Sequence, residues 1–211
     1  AISESAKVVI LCSPNNPTGN ILPLKDIEQI CSMCPNTVIV VDEAYAEFAE
    51  ETAVELLPKF ENLIVLRTLS KAYGLAGIRC GYSLSSKAIA YELNKVKPPY
   101  NISSLSQTVA KLVLEARDDI DCQIEYLIEQ RAYLLGELEK LEGLCVYASS
   151  ANYVLVKLPN AKAVAKELER RGILIRSYDD PVLSKYVRIT VGNKEQNDIL
   201  LEELKNIINK G

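Results

Sequence analysis

The segment Val38-Ile39-Val40-Val41-Asp42-Glu43-Ala44-Tyr45 joins four β-branched residues directly to two acidic residues and a tyrosine. β-Branched side chains fit the pleated surface of a sheet, so residues 38–41 are predicted to form a strand. An apolar run without polar alternation is typical of a strand that is buried on both faces. Asp42, Glu43 and Tyr45 would then follow the carboxyl end of a buried strand.

Two similar runs flank this segment along the chain, Val8-Val9-Ile10-Leu11 and Leu63-Ile64-Val65-Leu66. Apolar residues at helical spacing predict an amphipathic helix over residues 24–34, between the first two strands. Buried strands alternating with helices predict an α/β fold with a mostly parallel sheet and helices on both faces. Ligands of such sheets bind outside the carboxyl ends of the strands.

The second half of the chain has a different pattern, which predicts a compact α/β module. A long helix is expected to run to Gly143, followed by strands at residues 153–158, 172–176 and 186–190. Helices are expected at residues 161–171 and 194–209. Asn193 and Gln196 have the spacing of a capping box at the start of the last helix. We place the domain boundary near residue 118, which gives domains 1–118 and 119–211.

The composition of the chain excludes several functions. The 211 residues carry a net charge of −4 and no long apolar run, so we expect neither nucleic-acid nor membrane binding and a cytoplasmic location. The absence of histidine removes Ser-His and Cys-His hydrolase mechanisms. The six cysteines are interpreted as buried thiols, and without histidine the pair Cys31 and Cys34 lacks partners for a zinc site. We expect no metal.

Polar residues of complementary kinds follow all three predicted strands. They are Asn16 after the first strand, Asp42, Glu43 and Tyr45 after the second, and Thr68, Ser70, Lys71 and Arg79 after the third. Each has an ordinary explanation as a turn residue, a helix cap or a surface side chain. Together they supply an amine, a carboxylate, a phenol, an amide, hydroxyls and a guanidinium.

Pyridoxal phosphate requires this set of groups. A lysine amine condenses with its aldehyde, and a carboxylate keeps the pyridinium nitrogen protonated so that the ring can accept electrons. The ring hydroxyl needs hydrogen-bond donors, and the phosphate needs hydroxyls and preferably an arginine. The strand ends are therefore predicted to form a site for this cofactor.

Three segments of the chain resemble the signature segments of fold-type-I pyridoxal-phosphate-dependent aminotransferases, in the same order and at similar spacing. They are Ser13-Pro-Asn-Asn-Pro-Thr-Gly19, Val41-Asp-Glu-Ala-Tyr45 and Arg67-Thr-Leu-Ser-Lys-Ala-Tyr-Gly-Leu-Ala-Gly-Ile-Arg-Cys-Gly-Tyr82. The third segment and Lys97-Pro-Pro-Tyr-Asn-Ile-Ser-Ser-Leu-Ser-Gln107 are most similar to histidinol-phosphate aminotransferases. The resemblance implies that residues 1–118 belong to the large cofactor domain and residues 119–211 to the small domain.

The resemblance also implies a role for each matching residue. Lys71 would be the Schiff-base lysine, and Asp42 would pair with the pyridinium nitrogen. Five positions match residues that bind the rest of the cofactor: Asn16 and Tyr45 the ring hydroxyl, and Thr68, Ser70 and Arg79 the phosphate. Three further positions match residues that contact the substrate. Arg188 matches the arginine that binds the acidic group of the substrate, and the other two are Arg176 and Asn152. A solvent-facing strand arginine is the alternative interpretation of Arg188.

The implied activity is amino transfer from histidinol phosphate, a phosphorylated amino alcohol, to 2-oxoglutarate, which gives imidazole acetol phosphate and glutamate, in a homo-oligomer. A related aminotransferase, a phosphothreonine decarboxylase, and a non-catalytic domain of the same fold stay open as alternatives. Family members extend beyond the position of Ala1 and place further cofactor contacts there. We therefore expect a fragment that binds pyridoxal phosphate weakly or not at all by itself.

Overall fold

The computed structural model describes residues 2, 3 and 5–208. The chain forms two compact units, one from Ala1–Asn15 and Ile21–Cys122 and the other from Asn16–Asn20 and Gln123–Gly211. Each unit contains a four-stranded sheet. The predicted α/β fold class is confirmed.

The sheet of the first unit has the strand order β1-β2-β3-β4. Its strands are β1 Val8–Cys12, β2 Val38–Asp42, β3 Leu63–Thr68 and β4 Gly81–Ser85. The first three are parallel, as the apolar runs predict, and β4 is antiparallel to β3. The fourth strand is not predicted from the sequence, because its alternation of serine with larger residues lacks a continuous apolar run.

One face of this sheet forms the core of the first unit. Ile39 and Val41 of β2 are fully buried, as are Leu63 and Val65 of β3. They form one cluster with Ile27 and Cys31 of α1, which spans Leu24–Met33, and with Ala53 and Leu56 of a short 3₁₀ helix.

The first strand differs from the prediction of a fully buried strand. Val8 and Ile10 are 54% and 67% exposed, and they alternate with partly buried Val9 and Leu11. The reason is that Val9 and Leu11 face the core of the first unit, whereas Val8 and Ile10 point to the opposite face of the sheet.

Three helices follow β4 along the chain: α2 Lys87–Val96, α3 Ser104–Glu115 and α4 Arg117–Leu138. The long predicted helix therefore ends at Leu138 and not beside Gly143. Its last turn tightens, because the amides of Lys140 and Leu141 bond to carbonyls three residues back. The predicted domain boundary near residue 118 falls within the first turn of α4 and stays a prediction.

The sheet of the second unit is antiparallel throughout, with the order β5-β6-β8-β7. Its strands are β5 Cys145–Val146, β6 Tyr153–Lys157, β7 Arg176–Ser177 and β8 Tyr186–Thr190. The helices are α5 Ala161–Arg170 and α6 Lys194–Ile208. Val154, Val156, Val187 and Ile189 are buried on the face that forms the core with α4, α5 and α6.

The prediction of a strand over residues 172–176 is wrong for residues 172–175, and only Arg176 lies in a strand. Gly172 has a φ of 82°, and the amide of Ile173 bonds back to the Leu168 carbonyl at 2.9 Å. These residues close the end of α5, so only Arg176 and Ser177 pair with β8.

The predicted capping box at the start of α6 is confirmed. The Asn193 side chain accepts a hydrogen bond from the Gln196 amide at 2.9 Å, and the Gln196 side chain accepts one from the Asn193 amide at 3.0 Å. The predicted final helical residue, Asn209, lies outside the described residues. No helix within the described residues has the length and apolarity needed to span a membrane.

Candidate active site

Asp42 lies at the carboxyl end of β2, between β1 and β3. The Ser13 amide donates to the Asp42 carbonyl at 3.0 Å, and the Glu43 amide donates to the Leu66 carbonyl at 3.0 Å. The Asp42 carboxylate accepts a hydrogen bond from the Ala44 amide at 3.0 Å, which turns the chain as it leaves the strand. Because side chains alternate along a strand, Asp42 lies on the face opposite the helix-packed core.

Lys71 lies in a closed turn between β3 and β4. The Thr68 hydroxyl accepts a hydrogen bond from the Ser70 amide at 3.1 Å, and Leu69 is only 1% exposed and anchors the turn. The Gly74 amide donates to the Lys71 carbonyl at 3.0 Å. The turn therefore holds the lysine backbone while its side chain stays exposed.

The Lys71 ammonium lies 5.4 Å from the centre of the Tyr45 ring. Tyr45 is 7% exposed and directly precedes a 3₁₀ helix, Ala46–Phe48. Among the described residues, neither Lys71 nor Asp42 takes part in an ion pair. Both charged groups are thus available to a ligand.

Arg79 lies at the end of the same turn and has an unusual backbone conformation. Its φ of 54° is in the left-handed region, which is uncommon for residues other than glycine. The guanidinium is exposed and donates to the Ala76 carbonyl at 3.2 Å. The turn is closed behind it by the Thr68 hydroxyl, which donates to the Cys80 carbonyl at 3.4 Å. Arg79, Thr68 and Ser70 are therefore all carried by one turn.

A buried polar network that sequence reasoning missed lies on the core face of the same strand ends. The Arg67 guanidinium bonds Glu43 at 2.9 Å through Nε, Glu47 at 3.0 Å through Nη1 and the Thr52 hydroxyl at 2.8 Å through Nη2. The Glu43 carboxylate also accepts hydrogen bonds from the Thr52 hydroxyl at 2.8 Å and the Ala53 amide at 2.5 Å.

The network leaves one carboxylate incompletely satisfied. Oε2 of Glu47 is buried without a hydrogen-bond partner. Burial raises the pKa of Glu47, and the hydrogen bonds and charge of the Arg67 guanidinium oppose that shift. A sequence signal for the network exists, because Arg67 continues the alternation of Leu63 and Val65 and so must face the core.

In the second unit, Arg188 and Asn16 lie together although they are 172 positions apart in the chain. Nη1 of Arg188 donates to the Asn16 side-chain oxygen at 2.8 Å. The guanidinium carbon lies 4.9 Å from the centre of the Tyr153 ring. Nε of Arg188 is buried without a hydrogen-bond partner, so the guanidinium keeps a donor for an anion.

Arg176 is the direct cross-strand neighbour of Arg188, on the strand β7 beside β8. Like charges in this position repel each other unless an anion lies between them. The Arg176 guanidinium lies 5.8 Å from the centre of the Tyr178 ring. Asn152 immediately precedes β6, and its carbonyl accepts a hydrogen bond from the Val191 amide at 2.9 Å.

The predicted site residues thus form two groups, one in each unit. The first unit holds Lys71, Tyr45, Asp42 and the turn of Thr68, Ser70 and Arg79, and the second holds Asn16, Arg188, Arg176 and Asn152. The convergence of the two groups on one cavity stays a prediction. Within the described residues, no cluster of acidic residues and cysteines has the arrangement of a metal site.

The family model of aminotransferase class I and II matches residues 1–204. The chain belongs to this aminotransferase family. A histidinol-phosphate aminotransferase of Ruminiclostridium cellulolyticum is 48% identical over 202 residues. That alignment covers 95% of this chain and 56% of the relative, so the chain spans little more than half the length of that aminotransferase.

Two solved structures support the same fold. L-threonine-O-3-phosphate decarboxylase of Porphyromonas gingivalis superposes with a TM-score of 0.88 at 26% identity, covering 99% of this chain and 66% of that one. Histidinol-phosphate aminotransferase of Sinorhizobium meliloti in complex with pyridoxal-5'-phosphate gives a TM-score of 0.82 at 29% identity, covering 98% and 59%.

The residues at the strand ends fit the requirements of pyridoxal phosphate. Within the described part of the chain, neither the Lys71 amine nor the Asp42 carboxylate takes part in an ion pair. The chain also carries two hydroxyl residues and an exposed guanidinium on one turn. These are the groups that the aldehyde, the ring nitrogen and the phosphate require.

Proposed function

We propose that this chain carries the cofactor lysine and the substrate arginines of a pyridoxal-phosphate-dependent aminotransferase that acts on histidinol phosphate. The observation that carries the proposal is the Lys71 ammonium, which lies 5.4 Å from the Tyr45 ring and forms no ion pair with any described residue. An ammonium that is not held in an ion pair is available for covalent chemistry.

The proposed cofactor contacts follow from the chemistry of each side chain. Lys71 would hold the aldehyde carbon and Asp42 the protonated ring nitrogen. The ring hydroxyl would receive hydrogen bonds from Asn16 and Tyr45. The phosphate would be held by Thr68, Ser70 and Arg79. When bound, the cofactor withdraws electrons from the substrate carbon that bears the amino group.

The remaining chemistry belongs to residues of the chain. The Lys71 amine would act as the general base, taking the proton from the substrate carbon that bears the amino group and delivering it to the cofactor. Asp42 keeps a negative charge beside the ring nitrogen throughout. These two are the proposed catalytic residues.

Arg188 would bind the acidic group of each substrate. Its guanidinium can form two parallel hydrogen bonds with the phosphate of histidinol phosphate or with a carboxylate of glutamate. Its buried, unpartnered Nε and its cation neighbour Arg176 support an anion at this position. Asn152 is proposed as a further substrate contact.

The test is amino transfer itself. Supplied with pyridoxal phosphate, histidinol phosphate and 2-oxoglutarate, the intact enzyme that contains these residues should form equimolar glutamate and imidazole acetol phosphate. Lys71→Ala should reduce this rate to background, while Lys59→Ala, at an exposed lysine of the same unit, should leave it unchanged. Equal rates in the wild type and Lys71→Ala would contradict the proposal.

A second candidate is decarboxylation of threonine phosphate, which the P. gingivalis structure favours at 26% identity. The two activities have different products, carbon dioxide or glutamate, so one assay with each substrate separates them. Release of carbon dioxide without glutamate would assign the protein to the second class.

The division into domains and the oligomeric state are also proposed from membership of the aminotransferase family. Residues 1–118 would belong to the large cofactor domain and residues 119–211 to the small domain. A cytoplasmic homodimer is proposed, and exposed apolar residues of α2 and α3, such as Val96 and Leu105, support self-association.

A further inference from the structure

We propose that Arg67 is a positioning residue, which joins the ends of β2 and β3 from the core face and so fixes Asp42 and Lys71 relative to each other. The functional part of this inference rests on the proposed function, because positioning matters only if Asp42 and Lys71 are the catalytic pair. Its structural part, a joint between two strand ends, can be tested without any cofactor.

The alternation of side chains separates the joint from the proposed site. Asp42 and Thr68 point to one face of the sheet, and their sequence neighbours Glu43 and Arg67 point to the opposite face. Glu43 follows Val41 on the core face, and Arg67 follows Val65. Arg67 therefore acts on the site through the backbone and needs no contact with cofactor or substrate.

One guanidinium contacts three separate parts of the chain. Nε bonds Glu43, directly after Asp42, and Nη1 bonds Glu47, which lies two residues after Tyr45. Nη2 bonds Thr52, the cap of the following 3₁₀ helix. Arg67 itself is the residue before Thr68, which begins the Lys71 turn. The segment that follows Asp42 is thus tied to the start of the turn that carries Lys71.

Burial makes this joint stiff. The side chains of Arg67, Glu43 and Glu47 are only 15%, 3% and 9% exposed, so water cannot replace their mutual hydrogen bonds. Lysine cannot substitute for the arginine, because a single ammonium cannot reach three acceptors in the fixed geometry of a guanidinium. Loss of the guanidinium leaves two buried carboxylates near each other without a counter-charge.

Hydrogen exchange of the protein without cofactor tests the joint. The exchange rates of four backbone amides measure how often the segments after β2 and β3 open, because each amide donates a hydrogen bond within these segments. They are the amides of Ala44, Ser70, Gly74 and Leu75. In Arg67→Met these amides should exchange at least about tenfold faster, and in Arg67→Lys by a smaller factor. Val40 in the centre of β2 and Val65 in the centre of β3 should keep their wild-type exchange.

Lys59→Met is the matched control, because Lys59 forms an ion pair with Glu28 in the same unit but is 59% exposed. It should leave all these amides unchanged. If Arg67→Met fails to fold, Thr52→Val replaces it, since this change removes one bond to Arg67 and one to Glu43. Unchanged strand-end amides, or equal acceleration of strand centres and strand ends, would overturn the positioning role.

Cofactor binding separates this inference from the proposed function. In the intact enzyme that contains these residues, pyridoxal phosphate should bind Arg67→Met about tenfold more weakly than the wild type, with Arg67→Lys intermediate and Lys59→Met unchanged. Absence of any Lys71-dependent binding in the intact wild-type enzyme would refute the proposed function, whereas the exchange data would still decide whether Arg67 joins the strand ends. Wild-type affinity in Arg67→Met would overturn the positioning role alone.

Discussion

Glu47 illustrates how one buried side chain can make stability depend on pH. Burial raises its pKa, so the folded chain keeps the proton of this carboxyl to higher pH than the unfolded chain does. The tighter binding of this proton stabilises the folded chain fully below the ordinary glutamate pKa. This stabilisation is lost as pH rises through the raised pKa of Glu47 in the folded chain.

Glu47→Gln should remove this loss. The amide keeps an oxygen for the Arg67 guanidinium and cannot ionise, so the variant should gain stability relative to the wild type as pH rises above the ordinary glutamate range. The free energy of unfolding in urea, measured across acidic to neutral pH, checks this. The control is Glu28→Gln, at an exposed carboxylate paired with Lys59. The same trend in both variants would show that the buried site is not its cause.

Substrate binding can be tested at Arg188. Arg188→Ala should slow both half-reactions, because a hydrogen bond to a charged group contributes about 1.5–3 kcal/mol, which corresponds to roughly 10- to 150-fold in rate. Arg188→Lys should recover part of the rate, since it keeps the charge without the two parallel bonds. Single-turnover rates with histidinol phosphate and with glutamate measure the two effects separately.

The control for this test is Arg170→Ala in the same unit, where the arginine is 78% exposed and pairs with Glu167 on its own helix. It should change neither rate. Unchanged rates in Arg188→Ala with both substrates would support the solvent-facing interpretation of this strand arginine.

At the scale of single elements, the capping box of α6 offers a stability test. Asn193→Ala removes the side chain that accepts the Gln196 amide and should lower the free energy of unfolding by about 1 kcal/mol. Asn206→Ala, at an exposed asparagine near the other end of α6, is the matched control and should change it little. Equal losses in the two variants would argue against a stabilising cap.

Element prediction from the sequence succeeded where the pattern was strong. Continuous apolar runs identified β1, β2 and β3, and the Asn193 and Gln196 spacing identified the start of α6. The sequence did not predict β4, because its serines interrupt the apolar run that would indicate a strand. It wrongly predicted a strand at residues 172–175. There Ile173 and Ile175 are apolar because they pack on the core, not because they pair with a neighbouring strand. Local pattern cannot distinguish these two causes.

At the scale of the whole molecule, the exposed apolar side chains of α2 and α3 give a test of self-association. Val96 and Leu105 are 79% and 72% exposed. Val96→Glu with Leu105→Glu should shift the protein towards lower mass in sedimentation equilibrium, because charged groups resist burial at an interface. Leu174→Glu, at an 80% exposed residue of the other unit, is the control. An unchanged mass in the double variant would show that Val96 and Leu105 do not lie at an interface between copies of the protein.

The candidate site could be predicted only in part from the sequence. The types and order of Asp42, Lys71 and Arg79 are sufficient to suggest the cofactor, because their chemistry is specific and their places follow from the strand ends. The core-facing position of Arg67 follows from its alternation with Leu63 and Val65, but its partners Glu43, Glu47 and Thr52 could not be predicted, since no local pattern relates them to Arg67. The contact of Asn16 with Arg188 likewise arises only from the folded chain.

Borohydride trapping shows whether Lys71 is the lysine that reacts with the cofactor. The protein is mixed with excess pyridoxal phosphate, reduced and digested, and the labelled lysines are located by mass spectrometry. Reduction makes the bond permanent, so weak binding is sufficient. We expect preferential labelling of Lys71 over exposed lysines such as Lys59 and Lys111, and loss of that preference in Asp42→Ala. Labelling spread evenly over exposed lysines in the wild type would contradict this expectation.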